Sequence, residues 1–171
     1  RGTSKSNASR ALIDATTEKL SEFVTRTLED IDLVTMFIDG IEFAGHTVIV
    51  ALGVTIDGTK VPLGLWAGSS ENTVVATALL QNLVERGLRV DEATLFVIDG
   101  GKGLRKALRD VYGDRAVVQR CQVHKLRNVR DHLPDARRGY VARQRRDAYK
   151  SATFATAKKK LLHLASWLES N

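Results

Sequence analysis

A single cysteine, Cys121, stands among 171 residues, so no disulfide can form within the chain. One lone thiol suits a reducing, cytoplasmic setting. Only two prolines occur, Pro62 and Pro134, which leaves long stretches open to regular helix and strand. No apolar run approaches the roughly 20 residues that span a bilayer. The basic N-terminus is not followed by the apolar stretch of a signal peptide. There are no internal repeats and no low-complexity linker, and the first residue is Arg1 rather than methionine, so a non-native N-terminus is expected. What is present is ordinary for a globular protein: 43% apolar and 27% charged residues, at a length that suits one domain with or without an appendage.

Charge is unevenly spread. Residues 1–100 carry 8 Lys/Arg and 14 Asp/Glu, for −6; residues 101–171 carry 18 and 6, for +12; the halves sum to the overall +6. Residues 120–160 alone hold 13 Lys/Arg against 3 Asp/Glu. A basic half of this kind points to a polyanion such as DNA, against the plainer reading of a solvated helical face. The candidate DNA contacts are Lys102, Arg120, Lys125, Arg127, Arg137, Arg138, Arg143, Arg145 and Arg146.

Periodicity orders the rest. Apolar residues at three- and four-residue spacings predict an amphipathic helix over 10–28. The period then changes to β-rich runs over 34–38 and 47–56, and Asp57-Gly58 is a two-residue hairpin signal into a third strand over 60–66. Ser69-Ser70 offer an N-cap, Glu71 suits the first turn, and Gly87 closes that helix. An all-apolar strand over 94–98 follows, then a helix over 102–112 closed by Gly113, a short strand over 116–118, and basic helices broken at Pro134. The order is β-β-β-α-β-α-β-α. The crossover makes the fourth strand parallel to the third, and hence to the first. Their lateral order is left open by the sequence.

Two strings carry the chemistry: Phe37-Ile38-Asp39-Gly40 and Val97-Ile98-Asp99-Gly100. In each, an apolar run reads as ending on an aspartate followed by glycine. Asp-Gly is also a plain turn dipeptide, as Asp57-Gly58 shows. If the two strands are neighbours, however, both carboxylates emerge on one sheet edge and suit a hard divalent cation. The end of the third strand opens on the same edge and would bring Glu71 near. Gly100-Gly101-Lys102-Gly103 lacks the spacing of a phosphate loop. Cys121-x-x-His124 has no second ligand pair, so a core thiol and an ordering histidine at a helix start are expected in place of structural zinc. Trp66 and Trp167 read as packing residues, with stacking of Trp167 on a base as the alternative.

Several strings together resemble the Mutator-type transposases of bacterial insertion sequences. They are residues 2–10, Ile38-Asp39-Gly40, Glu71-Asn72, Asp99-Gly100-Gly101-Lys102-Gly103-Leu104, and Arg120-Cys121-Gln122-Val123-His124-Lys125 with Arg127-Asn128-Val129. The resemblance runs the whole length of the chain. It implies an RNase H-like mixed sheet, with three antiparallel strands and then parallel strands joined by helices, followed by basic helices. It implies a DDE enzyme that binds two Mg²⁺ or Mn²⁺ ions and catalyses DNA strand cleavage and transfer, with Asp39 and Asp99 as its first two acids and metal ligands. Cys121 and His124 match a family motif of undefined role. Transposon ends and target DNA are the implied partners, in a bacterial cytoplasm at the nucleoid, with a homo-oligomer expected for the full-length protein.

The resemblance also divides the chain: residues 1–30 as the end of a DNA-binding region, 31–135 as the catalytic core, and 136–171 as the start of a helical insertion. The family's third acid, a glutamate, follows that insertion and is expected beyond Asn171, which makes this chain an internal fragment lacking part of its catalytic set. Two alternatives stand beside this reading. One is a self-contained RNase H-like nuclease with Glu71 as third acid; the other is a non-catalytic DNA-binding remnant of a transposase.

Overall fold

The computed structural model describes residues 5–43, 45–68, 73–90 and 94–170. Ser69, Ser70 and Glu71, the expected cap and first turn of a helix, lie outside them. The chain forms two compact units, Arg1–Cys121 and Gln122–Asn171. The second unit begins where the last strand has ended, at Arg120, and every later described element is a helix.

The first unit contains α1 (Lys5–Thr25), β1 (Leu33–Phe43), β2 (His46–Thr55), β3 (Lys60–Gly68), α2 (Thr73–Glu85), β4 (Thr94–Ile98), α3 (Lys102–Tyr112), a turn of 3₁₀ helix at Gly113–Arg115, and β5 (Ala116–Arg120). The five strands form one sheet in the order β3-β2-β1-β4-β5. The β1-β2 and β2-β3 pairs are antiparallel, while β1-β4 and β4-β5 are parallel. This is the RNase H-like arrangement, and it supplies the neighbour relation between β1 and β4 that the sequence leaves open.

Strand side chains alternate between faces. Met36, Ile38, Ile49, Ala51, Phe96 and Ile98 are buried in one core with Leu63 of β3. Helices α2 and α3 cover that core with Ala76, Leu79, Leu80 and Leu83, and with Leu104, Ala107, Leu108 and Tyr112, at helical spacing. Each large side chain fully buried here contributes about 1.5–3 kcal/mol of hydrophobic stabilisation. The stacked Phe96–Tyr112 rings, 5.1 Å between centroids, tie β4 to the end of α3. Gly113 (φ 59°) then ends the helix, its amide bonding to Arg109 O.

Helix α1 covers less than its periodicity predicts. Among its described side chains only Phe23 and Val24 are half-buried, while Ile13 and Leu20 are exposed. It is held at its C-terminal end. Arg86, at the end of α2, donates to Arg26 O (2.8 Å), Leu63 O (2.9 Å), Phe23 O (3.0 Å) and Asn82 Oδ1 (3.3 Å). Burial, and then the nearby Arg26 charge, lower the Arg86 pKa from its ordinary value. The Leu28 amide returns a bond to Arg86 O, and Arg26 bonds to Pro62 O.

The second unit is helical: α4 (Gln122–Asp131), α5 (Asp135–Tyr149) and α6 (Phe154–Glu169). Pro134 breaks the helix as expected. A second break precedes α6, where Thr153 accepts a capping bond from the Thr156 amide (3.2 Å). No helix among the described residues is long and apolar enough to cross a membrane.

Candidate active site

The parallel ladder between β1 and β4 ends at the pair Ile38–Ile98. The next residue on each strand is an aspartate, so Asp39 and Asp99 occupy equivalent positions at one edge of the pairing, and both are half-buried. Adjacent strands lie about 4.8 Å apart. Cation–oxygen bonds of about 2.0–2.6 Å are within reach of two carboxylates extending from such positions.

The two aspartates do not sit in the same kind of backbone. β1 does not end at Asp39: it runs on to Phe43, with Asp39 opposite Val50 and Gly40 opposite Ile49 on β2. The strand end expected from Asp39-Gly40 is therefore corrected. The antiparallel partner continues to satisfy the backbone after the parallel one has left, so the dipeptide is not forced to turn. Asp39 is held by strand geometry.

Asp99 is held by a turn. β4 stops at Ile98, and Asp99 Oδ1 accepts the Gly101 amide at 2.7 Å, closing a side-chain turn ahead of α3. Gly100 has φ 104°, a backbone conformation open mainly to glycine. From β5, Arg120 donates its Nε to Asp99 O at 3.1 Å, and the Cys121 amide bonds to Ile98 O. Asp99 is thus fixed from α3's first turn on one side and from β5 on the other.

Other residues predicted from sequence fall as follows. Glu71 lies outside the described residues. Cys121 is half-buried, not a core thiol, because it is the first residue past the end of β5. His124 lies in the first turn of α4 and is half-buried. Among the described residues, no three His, Cys, Asp or Glu side chains converge on a point that could hold a metal ion.

The basic candidates divide by role. Lys102, Lys125, Arg127, Arg143 and Arg146 are exposed. Arg137, Arg138 and Arg145 are half-buried and bind their own unit. Arg138 donates to Arg130 O (2.9 Å) and Leu133 O (3.0 Å) and pairs with Asp135 (2.7 Å), tying α5 back to the end of α4. Arg145 donates to Gln122 O (2.8 Å) and lies 4.7 Å from the Tyr149 ring centre. Arg137 lies over Trp167, which also packs on Tyr140 at 4.6 Å, so this tryptophan holds α5 and α6 together. Net charge cannot separate these roles, since a planar guanidinium serves a carbonyl, a ring or a phosphate equally well.

Two arginine functions escaped sequence reasoning: the Arg86 anchor and the Arg120 contact with Asp99. Period-two alternation did carry a signal for Arg120. Ala116 and Val118 pack on the core, which places Arg120 on the same face.

Comparison with known proteins finds relatives along the whole chain. The family model "Transposase, Mutator family" matches residues 1–170. The transposase of insertion sequence IS905 from Lactococcus lactis is 29% identical over 161 residues, covering 90% of this chain and 40% of its own. A probable insertion-element transposase of Corynebacterium diphtheriae is 30% identical over 155 residues, covering 86% and 44%. The IS256 transposase of transposon Tn4001 in Staphylococcus aureus is 38% identical over 85 residues, covering 50% and 21%. The chain therefore spans less than half the length of these curated relatives. A chain in the solved simian T-cell lymphotropic virus intasome, in complex with the PP2A regulatory subunit B56 gamma, aligns at 10% identity and TM-score 0.35, covering 94% of this chain and 57% of its own. So slight a structural likeness carries no inference. With the family model matched from residue 1 to residue 170, the chain belongs to the Mutator family of transposases.

Proposed function

We propose that this chain carries part of the catalytic centre of a DNA transposase, with Asp39 and Asp99 as the two acids that would hold Mg²⁺ or Mn²⁺. The observation that carries the reading is the register of β1 against β4, which ends at Ile38–Ile98 and leaves the two aspartates at equivalent positions. Their chemistry fits the group: hard carboxylate oxygens on a rigid sheet suit a hard divalent cation. Bound there, two such ions would supply an activated nucleophile and neutralise the leaving oxygen during strand cleavage and transfer.

The protein's own part is positioning. Asp39 is held in β1 opposite Val50 of β2 and Asp99 in a bonded turn, so the backbone that presents each carboxylate is already ordered. Half-burial limits the water that competes for their oxygens. The third acid is proposed to lie beyond Asn171, after the helical insertion that the resemblance begins near Ala136; Glu71 is the in-chain alternative. The exposed cations Lys102, Lys125, Arg127, Arg143 and Arg146 would contact phosphates. In the full-length protein, transposon ends and target DNA are the proposed partners, and a homo-oligomer at the bacterial nucleoid is the proposed setting.

The test pairs Mn²⁺ titration with nicking of transposon-end DNA. The chain should bind Mn²⁺, and Asp39→Ala and Asp99→Ala should each abolish that binding. Nicking should be weak in this chain and rise by orders of magnitude in a C-terminally longer protein, since loss of one member of a catalytic set costs that much. Strong nicking abolished by Glu71→Ala would replace this reading with a self-contained nuclease. Mn²⁺ binding indifferent to both aspartate substitutions would refute the site.

A further inference from the structure

We infer that Arg120 is a positioning residue for Asp99, locking the turn that presents its carboxylate, and is not a phosphate contact. The inference rests on the proposed role of Asp99 in metal binding. Three observations converge on it. Arg120 is the last residue of β5 and pairs in register with Ile98, so its side chain starts beside the point where β4 gives way to the turn. It is half-buried, and its Nε donates to the main-chain oxygen of Asp99 at 3.1 Å. A Cβ built on Gly100 would lie 2.7 Å from that same Nε and 3.1 Å from Arg120 Cδ. The arginine thus fills the space that a side chain at position 100 would occupy.

The consequence is a closed arrangement around one residue. The carboxylate of Asp99 is held from the C-terminal side by the Gly101 amide, and its carbonyl from the β5 side by Arg120. A carbonyl can rotate only by swinging the peptide it shares with Gly100, whose φ of 104° already lies where few residues can follow. Fixing the oxygen therefore fixes the turn, and with it the direction of the carboxylate. Groups that orient a metal ligand in this way typically influence affinity by about 10–100-fold. Glycine at position 100 has two separate reasons: its positive φ, and the guanidinium lying against it. Lysine cannot substitute well, since its ammonium is a point donor on a flexible stem, whereas the Arg120 Nε–H is aimed by a planar group.

The experiment uses the full chain with Arg120→Gln, Arg120→Lys, Gly100→Ala and the double variant Gly100→Ala/Arg120→Gln. Three readouts are taken: Mn²⁺ affinity, the hydrogen exchange of the Gly101 amide by NMR, and the salt dependence of duplex DNA binding. Arg120→Gln should speed Gly101 exchange at least tenfold and weaken Mn²⁺ binding by about 10-fold or more, while leaving the salt slope unchanged. Arg120→Lys should not rescue either effect. Adding Gly100→Ala to the Arg120→Gln protein should cost less than adding it to the parent, because part of its effect is the clash with the guanidinium.

A salt slope lowered by about one, with Gly101 exchange unchanged, would make Arg120 a phosphate contact and overturn the inference. So would strictly additive effects of the two substitutions, or lost thermal stability with unchanged Mn²⁺ affinity in the folded protein. If the parent chain shows no Mn²⁺ binding sensitive to Asp39→Ala and Asp99→Ala, the metal reading itself fails. Gly101 exchange then decides alone whether Arg120 locks the turn.

Discussion

Replacing Arg86 with methionine keeps most of the apolar stem and removes every donor. The side chain is only 9% exposed and its guanidinium serves three main-chain oxygens from separate parts of the fold. The bond to Leu63 O is buried, and an acceptor left unsatisfied there costs about 1–3 kcal/mol. Phe23 O and Arg26 O are part-buried, can recover water, and add about 0.5–1 kcal/mol each. Relief from burying a charge offsets some of this. The net expectation is a loss of about 3 kcal/mol, or roughly 10 °C in melting temperature for a chain of this size. Arg86→Lys, with one compact ammonium, should lose about half as much. Urea and thermal denaturation measure the loss, and hydrogen exchange locates it. The Leu28 amide, bonded to Arg86 O, should lose protection before the sheet does. A loss under about 1 kcal/mol, or protection lost uniformly across the sheet, would refute the idea that Arg86 ties α1 to α2 and β3.

Three further outcomes test other parts of the molecule. Hydrogen bonds from Thr55 and Thr59 lower the Asp57 pKa from 3.8 to about 2. The unfolded chain therefore binds the extra proton first, and the stability that Asp57 confers is complete above about pH 4 and lost as pH falls towards 2. Asp57→Asn should flatten melting temperature against pH across that window, and an unaltered profile would exclude the role. Reversing Arg143 and Arg146 to glutamate should weaken DNA binding and lower its salt slope by about 0.9 for each phosphate no longer neutralised. Arg138→Ala should instead destabilise the helical unit, because its guanidinium bonds Arg130 O and Leu133 O.

Where sequence sufficed, a local rule was enough. Helix α3 begins and ends where periodicity and Gly113 predict, because one strict apolar face and one glycine stop act within a few residues. The Asp57-Gly58 hairpin is likewise local, with Gly58 at φ 84°. Where sequence fell short, the deciding partner was remote. β1 outruns Asp39 because β2 continues beside it, and β5 reaches Arg120 because Ile98 pairs with it. The Thr153 cap was available as a signal, but no proline or glycine marks the break before α6 as Pro134 marks the one before α5. The aspartate pair was legible because two strings matched. Arg86 was not, because three of its four acceptors are main-chain oxygens 23, 60 and 63 residues away in sequence. No side-chain pattern announces a carbonyl.

A helix anchored by several hydrogen bonds at its root, with its described side chains exposed further out, behaves as a cantilever. The 21 residues of α1 make a rod of about 32 Å. Its described side chains are exposed until Phe23, and the bonds from Arg86, Arg26 and Leu28 all lie at or beyond that end. A tilt of a tenth of a radian at the root moves the far tip by about 3 Å. Small changes in the packing around Arg86 are therefore magnified along the rod, and a load applied at the tip arrives at the root as a torque. The stiffness of that joint is set by a few carbonyl oxygens converging on one guanidinium, on an element that leads through β3 and β2 to the strand bearing Asp39.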